Sequence, residues 1–78
     1  MYYILTKEDC PWCDKAKDLL EKNGEAYKAF LYSDNQMFIR LMMKANLRTV
    51  PQIWHDTDHI GGYEALELYL LEHADNKD

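Results

Sequence analysis

The chain changes its period at Pro11, and that change narrows the possible folds more than any other feature. Tyr2-Tyr3-Ile4-Leu5-Thr6 is a short aromatic and β-branched run that predicts a strand. After Pro11, Cys13, Ala16, Leu19 and Leu20 recur at helical spacing, and Asp14, Lys15, Lys17, Asp18, Glu21 and Lys22 fill the opposite face. Pro11 suits a first helical turn, where its missing N–H costs nothing, and Asn23-Gly24 is a stop signal, so a helix is predicted over about 11–23. Ala26 to Tyr32 then reads as a second strand with Tyr27, Phe30 and Tyr32 as its bulk. Two strands flanking one helix favour a right-handed parallel crossover within one sheet.

The rest of the chain adds to that unit. Ser33-Asp34 offers a helix N-cap, and Met37, Phe38, Leu41, Met42 and Ala45 repeat at helical spacing as an expected core stripe, with Asn46 ending the helix. Pro51-Gln52-Ile53-Trp54-His55 predicts a third strand, Asp56-Thr57-Asp58 a turn, and His59-Ile60 a short fourth strand, a spacing that favours a hairpin. Gly61-Gly62 breaks that strand. Glu64 to about His73 predicts a last helix, with Leu66, Tyr69, Leu70 and His73 on one stripe and Ala65 and Leu68 beside it. Ala74 to Asp78 reads as a frayed tail. The order is β-α-β-α-β-β-α: an α/β fold with a four-stranded mixed sheet and three helices, in a single domain over residues 1–78.

Charge excludes some functions. Nine Lys and Arg against fourteen Asp and Glu leave a net charge of −5, the wrong sign for a nucleic-acid surface or an anionic membrane. No apolar run approaches the roughly 20 residues of a membrane span. Met1 to Thr6 is neither the charged start nor the apolar stretch of a secretion signal, so a cytoplasmic protein is expected. With two cysteines, the chain has no disulfide framework, and closing so small a loop stabilises little. If the pair matters, it matters chemically.

Cys10-Pro11-Trp12-Cys13 stands at the strand-to-helix junction, with Cys10 at the N-cap and Cys13 one turn in. A helix N-terminus carries partial positive charge and unpaired N–H groups, and both favour a thiolate at Cys10. Lys7 and Lys15 support it; Glu8, Asp9 and Asp14 oppose it, and the N–H groups in contact with the sulfur are expected to prevail. An activated thiol with a resolving partner in reach is what thiol–disulfide exchange needs. Half a zinc site is the other reading, but its second pair would be His55 and His59, about 40 residues on, farther than zinc-finger spacing. Two inert buried thiols are a third, suited to Cys13 more than to Cys10.

Two further segments draw attention. In Arg48-Thr49-Val50-Pro51-Gln52-Ile53 a proline opens a strand, which is permitted, and pattern alone predicts a trans bond. Ile60-Gly61-Gly62-Tyr63-Glu64 is either a plain turn or a helix entry whose backbone N–H groups meet a carboxylate.

Together and in this order, these segments resemble the glutaredoxin family. Thr6-Lys7-Glu8-Asp9-Cys10-Pro11-Trp12-Cys13 is similar to its active-site entry, Thr49-Val50-Pro51-Gln52-Ile53 to its cis-proline segment, and Ile60-Gly61-Gly62 to its glycine pair. The resemblance implies a minimal thioredoxin-like fold, Cys10 as nucleophile, Cys13 as resolving thiol, and a cis bond before Pro51. It implies glutathione as co-substrate, lying beside Pro11 and Trp12 and paired through Thr49 and Val50. Gly61, Gly62, Tyr63 and Glu64 would hold its γ-glutamyl end, and Lys7, with Gln52 or Arg40, its glycyl carboxylate. Trp12 stands where a tyrosine is common, and Tyr63-Glu64 where a small residue and an aspartate are common.

The implied activity is glutathione-dependent reduction of protein disulfides and glutathione mixed disulfides by a monomer without a metal, with ribonucleotide reductase as one protein substrate the family suggests. Two alternatives stay open. One is a glutaredoxin-like electron donor reduced by thioredoxin reductase, which Ile60-Gly61-Gly62 and Lys7 disfavour. The other is an iron–sulfur cluster-binding protein, which Pro11 disfavours.

Overall fold

A computed structural model describes residues 1–34, 36–47 and 49–74. Arg48 and residues 75–78 of the expected tail lie outside the described residues, as do the side chains of Phe38 and Ala74; Ala74, expected to begin that tail, belongs to the last helix. In chain order the described elements are β1 (Tyr2–Thr6), α1 (Pro11–Lys22), β2 (Tyr27–Leu31), a 3₁₀ turn (Tyr32–Asp34), α2 (Gln36–Lys44), β3 (Gln52–His55), β4 (Asp58–Gly61) and α3 (Tyr63–Ala74).

The strands form one mixed sheet in the order β2-β1-β3-β4. β1 runs parallel to β2, Tyr2 opposite Tyr27 and Thr6 opposite Leu31, as a crossover through α1 requires. β1 runs antiparallel to β3, Tyr2 opposite His55 and Leu5 opposite Gln52. β3 and β4 form the expected hairpin, with an irregularity at Ile53/Trp54 and Asp56 at φ 56° in its turn. β1 is central, so four of its five residues are buried, whereas the edge strand β2 has none.

The core lies between the sheet and the helices α1 and α3. Tyr2 and Ile4 from β1, Ala16 and Leu20 from α1, Ile53 from β3, and Leu66 and Leu70 from α3 pack into one buried cluster. Most of the expected stripes of α1 and α3 are found there, for the reason anticipated: their apolar residues share one face.

Two helix ends follow from single residues. After α1, Gly24 takes φ 68°, its N–H donates to the Glu21 carbonyl, and the Glu25 N–H donates to the Leu20 carbonyl. After α2, Asn46 takes φ 59° and the pattern repeats, from Asn46 to Met43 and from Leu47 to Met42. Both are left-handed caps that satisfy carbonyls the helix would otherwise leave unpaired.

Two local expectations differ from the structure. Ser33-Asp34 does not cap α2; Tyr32–Asp34 winds into a 3₁₀ turn and the helix begins at Gln36. The α2 stripe is not all core. Met42 is buried, but Met37 is 76% exposed and Leu41 is also exposed. Periodicity reports an apolar face, not whether anything covers it.

Candidate active site

Asp9, at φ 54°, turns the chain out of β1 toward α1. Cys10 is the N-cap in extended conformation, Pro11 occupies the first helical position, and the Cys13 N–H donates to Cys10 Sγ at 3.2 Å. Cys10 and Cys13 are joined as a disulfide, with Cα atoms 5.2 Å apart. When that bond is opened, the same N–H and the helix terminus face the Cys10 sulfur and stabilise negative charge on it. The two cysteines are not equally exposed: Cys13 is 1% exposed and Cys10 is 7% exposed, so Cys10 is the more accessible residue.

Trp12 stands beside the disulfide, half exposed. Its ring centroid lies 5.5 Å from that of Tyr63, and the Lys15 ammonium sits 4.3 Å from it, over the ring. The cation and the second ring give the exposed indole a fixed wall position.

Thr49-Val50-Pro51 precedes β3, and the Val50–Pro51 bond is cis. Pattern alone predicted trans; the family resemblance implied cis. The glycine pair lies against this segment. A methyl group on Gly62 would stand 3.7 Å from the Pro51 carbonyl oxygen. Gly61 has φ 124°, and a methyl group there would come within 3.1 Å of Ala65 Cβ, so this position requires glycine. The Gly62 carbonyl accepts the Leu66 N–H and opens α3.

These segments, far apart in sequence, meet at one cleft. Trp12, Thr49, Val50, Pro51, Gly62, Tyr63 and Glu64 line a cavity of about 340 Å³, together with Ala65. Thr49 and Val50 also border a neighbouring groove of about 380 Å³, which holds Lys7 with Tyr32, Ile39, Met42, Met43 and Leu47. Lys7 is therefore separated from Trp12 by the Thr49-Val50 edge. Trp12 and Tyr63 border a third groove of about 480 Å³ between α1 and α3, with Lys15, Asp18, Lys22 and Glu67 on its walls.

Two sequence assignments change. Gln52 does not face the cleft: it is buried, its amide nitrogen donates to Thr49 and its oxygen meets His59. Arg40 is exposed on α2 but does not line the groove that holds Lys7. His55 and His59 do not pair with the cysteines; their ring nitrogens engage Tyr69 and Gln52. Among the described residues, no group of three or more His, Cys, Asp or Glu is placed to hold a metal. Of the α2 residues at the Lys7 groove, Met42 was read as core, and Ile39 and Met43 were given no role. Their signal was Lys7 itself, a cation placed just before the cysteines and already grouped with Arg40 of the same helix.

A disulfide at a helix N-terminus, next in the chain to the cleft residue Trp12, can do one kind of chemistry readily, exchange with another thiol or disulfide. The site and its thioredoxin-like fold define a thiol–disulfide oxidoreductase. Residues 3–60 match the glutaredoxin family model, and the chain belongs to the glutaredoxin family. It is 41% identical over 70 residues to glutaredoxin 3 of Escherichia coli, covering 88% of this chain and 82% of that one. The solved structure of reduced E. coli glutaredoxin superposes with a TM-score of 0.77 at 33% identity, covering 95% of this chain and 96% of that one. A buckwheat glutaredoxin, solved as its glutathione complex, shares the fold at 22% identity, with a TM-score of 0.72 and coverage of 96% and 68%.

Proposed function

We propose that this protein is a glutathione-dependent oxidoreductase that reduces glutathione mixed disulfides and protein disulfides. One observation carries the reading: the Cys10 sulfur lies at the head of a helix beside a cleft built from Trp12, the Thr49-Val50-Pro51 segment and the Gly62-Tyr63-Glu64 helix entry. The cleft joins a backbone edge that can pair with a peptide to a helix N-terminus suited to a carboxylate. Lys7, across Thr49 and Val50, supplies a cation for the second carboxylate of an anionic tripeptide. The glutathione complex of the buckwheat protein supports the same ligand class for this fold.

The cycle needs only thiols. Cys10 thiolate attacks the glutathione sulfur of a mixed disulfide; the S–S bond breaks, and the partner leaves as a thiolate. A second glutathione thiolate attacks that sulfur, releasing oxidised glutathione and restoring Cys10. With a protein disulfide, Cys13 loses its proton and attacks the Cys10 sulfur of the mixed disulfide, releasing the substrate as a dithiol and leaving the Cys10–Cys13 disulfide. Two glutathiones re-reduce it. A reducing cytoplasm, where glutathione keeps thiols reduced, suits this cycle.

Turnover of a small glutathione mixed disulfide, coupled to glutathione reductase, tests the reading. Activity in the wild type that disappears in Cys10→Ser is expected. An inactive wild type that thioredoxin reductase can reduce would refute it.

A further inference from the structure

Gln52 opens β3, directly after the cis-proline, and is only 5% exposed. Its Nε2 donates to the Thr49 carbonyl oxygen at 2.9 Å and lies 3.3 Å from Thr49 Oγ1. A carbonyl oxygen can only accept, so this end of the amide must be the NH₂ group. Oε1 therefore points the other way, toward His59 Nε2 at 2.8 Å. An amide oxygen also only accepts. His59 must carry a hydrogen on Nε2, which fixes the neutral ring in that tautomer. His59 is an exposed residue of β4, and its ring also lies against Trp54, with centroids 5.2 Å apart.

We propose that His59 is a positioning residue of the active site, holding the Thr49-Val50 edge in place through the buried amide of Gln52. Thr49 and Val50 border both the cleft beside Trp12 and the groove beside Lys7. The segment precedes β3 and lies outside the strand ladder, so its carbonyl is oriented by a side chain. The Thr49 carbonyl fixes which end of the amide faces it, and the His59 donor at Oε1 anchors the other end. Without that donor the amide is held at one end only, so the group that orients the Thr49 carbonyl is itself free to move and the edge is less firmly placed. Preorganisation of a binding edge then falls, while the sulfurs on α1 are untouched. This inference rests on the reading of Thr49-Val50 as the substrate edge.

The test compares wild type, His59→Phe and His59→Gln. Phenylalanine keeps a ring against Trp54 but has no donor; glutamine places a side-chain N–H where imidazole Nε2 stood. Turnover of a glutathione mixed disulfide is measured alongside the backbone amide signals of Thr49 and Val50. His59→Phe is expected to raise KM about three- to tenfold with kcat held, the effect of one lost hydrogen bond. It should also shift both amide signals, and His59→Gln should return KM to near the wild-type value. A wild-type KM in His59→Phe would overturn the proposal. So would unmoved amide signals, or a His59→Gln variant as impaired as His59→Phe. Should the wild type not turn over glutathione substrates at all, the functional reading fails, and the amide signals alone still decide whether His59 holds the loop.

Discussion

At Tyr2, where β1 begins, side chains close on one another; beyond Thr6, where it ends, the chain leads to the disulfide and the cleft beside Trp12. At the far pole Tyr2 stacks on His55 with centroids 4.2 Å apart, and Tyr69 meets Tyr2 edge-on at 6.2 Å. The Tyr69 hydroxyl hydrogen-bonds His55 Nδ1 at 2.6 Å, and His73 stacks on Tyr69 at 3.9 Å. The Met1 ammonium pairs with Asp56 at 2.9 Å. At the site pole, Trp12 and Tyr63 also meet, but Trp12 keeps half of its surface in water and the chain beside it is held by backbone turns and one buried amide. The far pole packs aromatic groups for stability. The site pole keeps them accessible for chemistry, and the buried cluster of the sheet, α1 and α3 connects the two.

The comparison breaks most visibly at Tyr2. Tyr2→Ala empties a buried site and should lower stability by about 3–5 kcal/mol in denaturant unfolding, while turnover per folded molecule stays near wild type. Equal loss of turnover in folded protein would show that the poles are not separable.

The Tyr2 hydroxyl gives a pH test of the same pole. Burial, aided by nearby Glu25, Tyr69 and Asp56, pushes it up to about 12. The unfolded chain releases this proton near the ordinary value of 10, so between pH 10 and 12 the unfolded state binds fewer protons and stability falls as pH rises. The loss should reach up to about 2–3 kcal/mol, and Tyr2→Phe should remove that part of it. Parallel curves for the two proteins would contradict the assignment.

At the site pole, Gly61→Ala should destabilise by about 1–3 kcal/mol, because alanine resists φ 124° and its methyl meets Ala65. Gly62→Ala meets only ordinary contact with the Pro51 carbonyl and should leave the unfolding midpoint nearly unchanged, so equal midpoints for the two variants would break the distinction. The smallest effect belongs to Asp56, whose exposed carboxylate is held below its usual range by the hydrogen bond from the Met1 ammonium. Its contribution is present above the usual carboxylate range and is lost as pH falls through it. Asp56→Asn should shift the midpoint slightly at low salt and not at all at high salt.

What the sequence revealed follows the range of the forces involved. α1 was legible because Pro11, the Ala16-Leu19-Leu20 stripe and Asn23-Gly24 each act within a few residues. The hairpin of β3 and β4 was legible for the same reason. The 3₁₀ turn at Tyr32–Asp34 was missed because Ser33 and Asp34 suit a cap and a turn equally. The cis bond at Pro51 had no local signature and came only through family resemblance. Gln52 was assigned to the glycyl carboxylate through the family resemblance, and nothing local in the sequence reveals that both ends of its buried amide have partners. His59 entered the sequence reading only as a remote and disfavoured zinc ligand: its link to Thr49 exists only once β3 and β4 pair.

The most direct test of the division of labour at the site pole is Cys13→Ser, assayed on a glutathione mixed disulfide and on a protein disulfide. Retained activity on the first and lost activity on the second would establish Cys10 as the sulfur that attacks and Cys13 as the one that resolves. Equal loss on both would contradict that assignment.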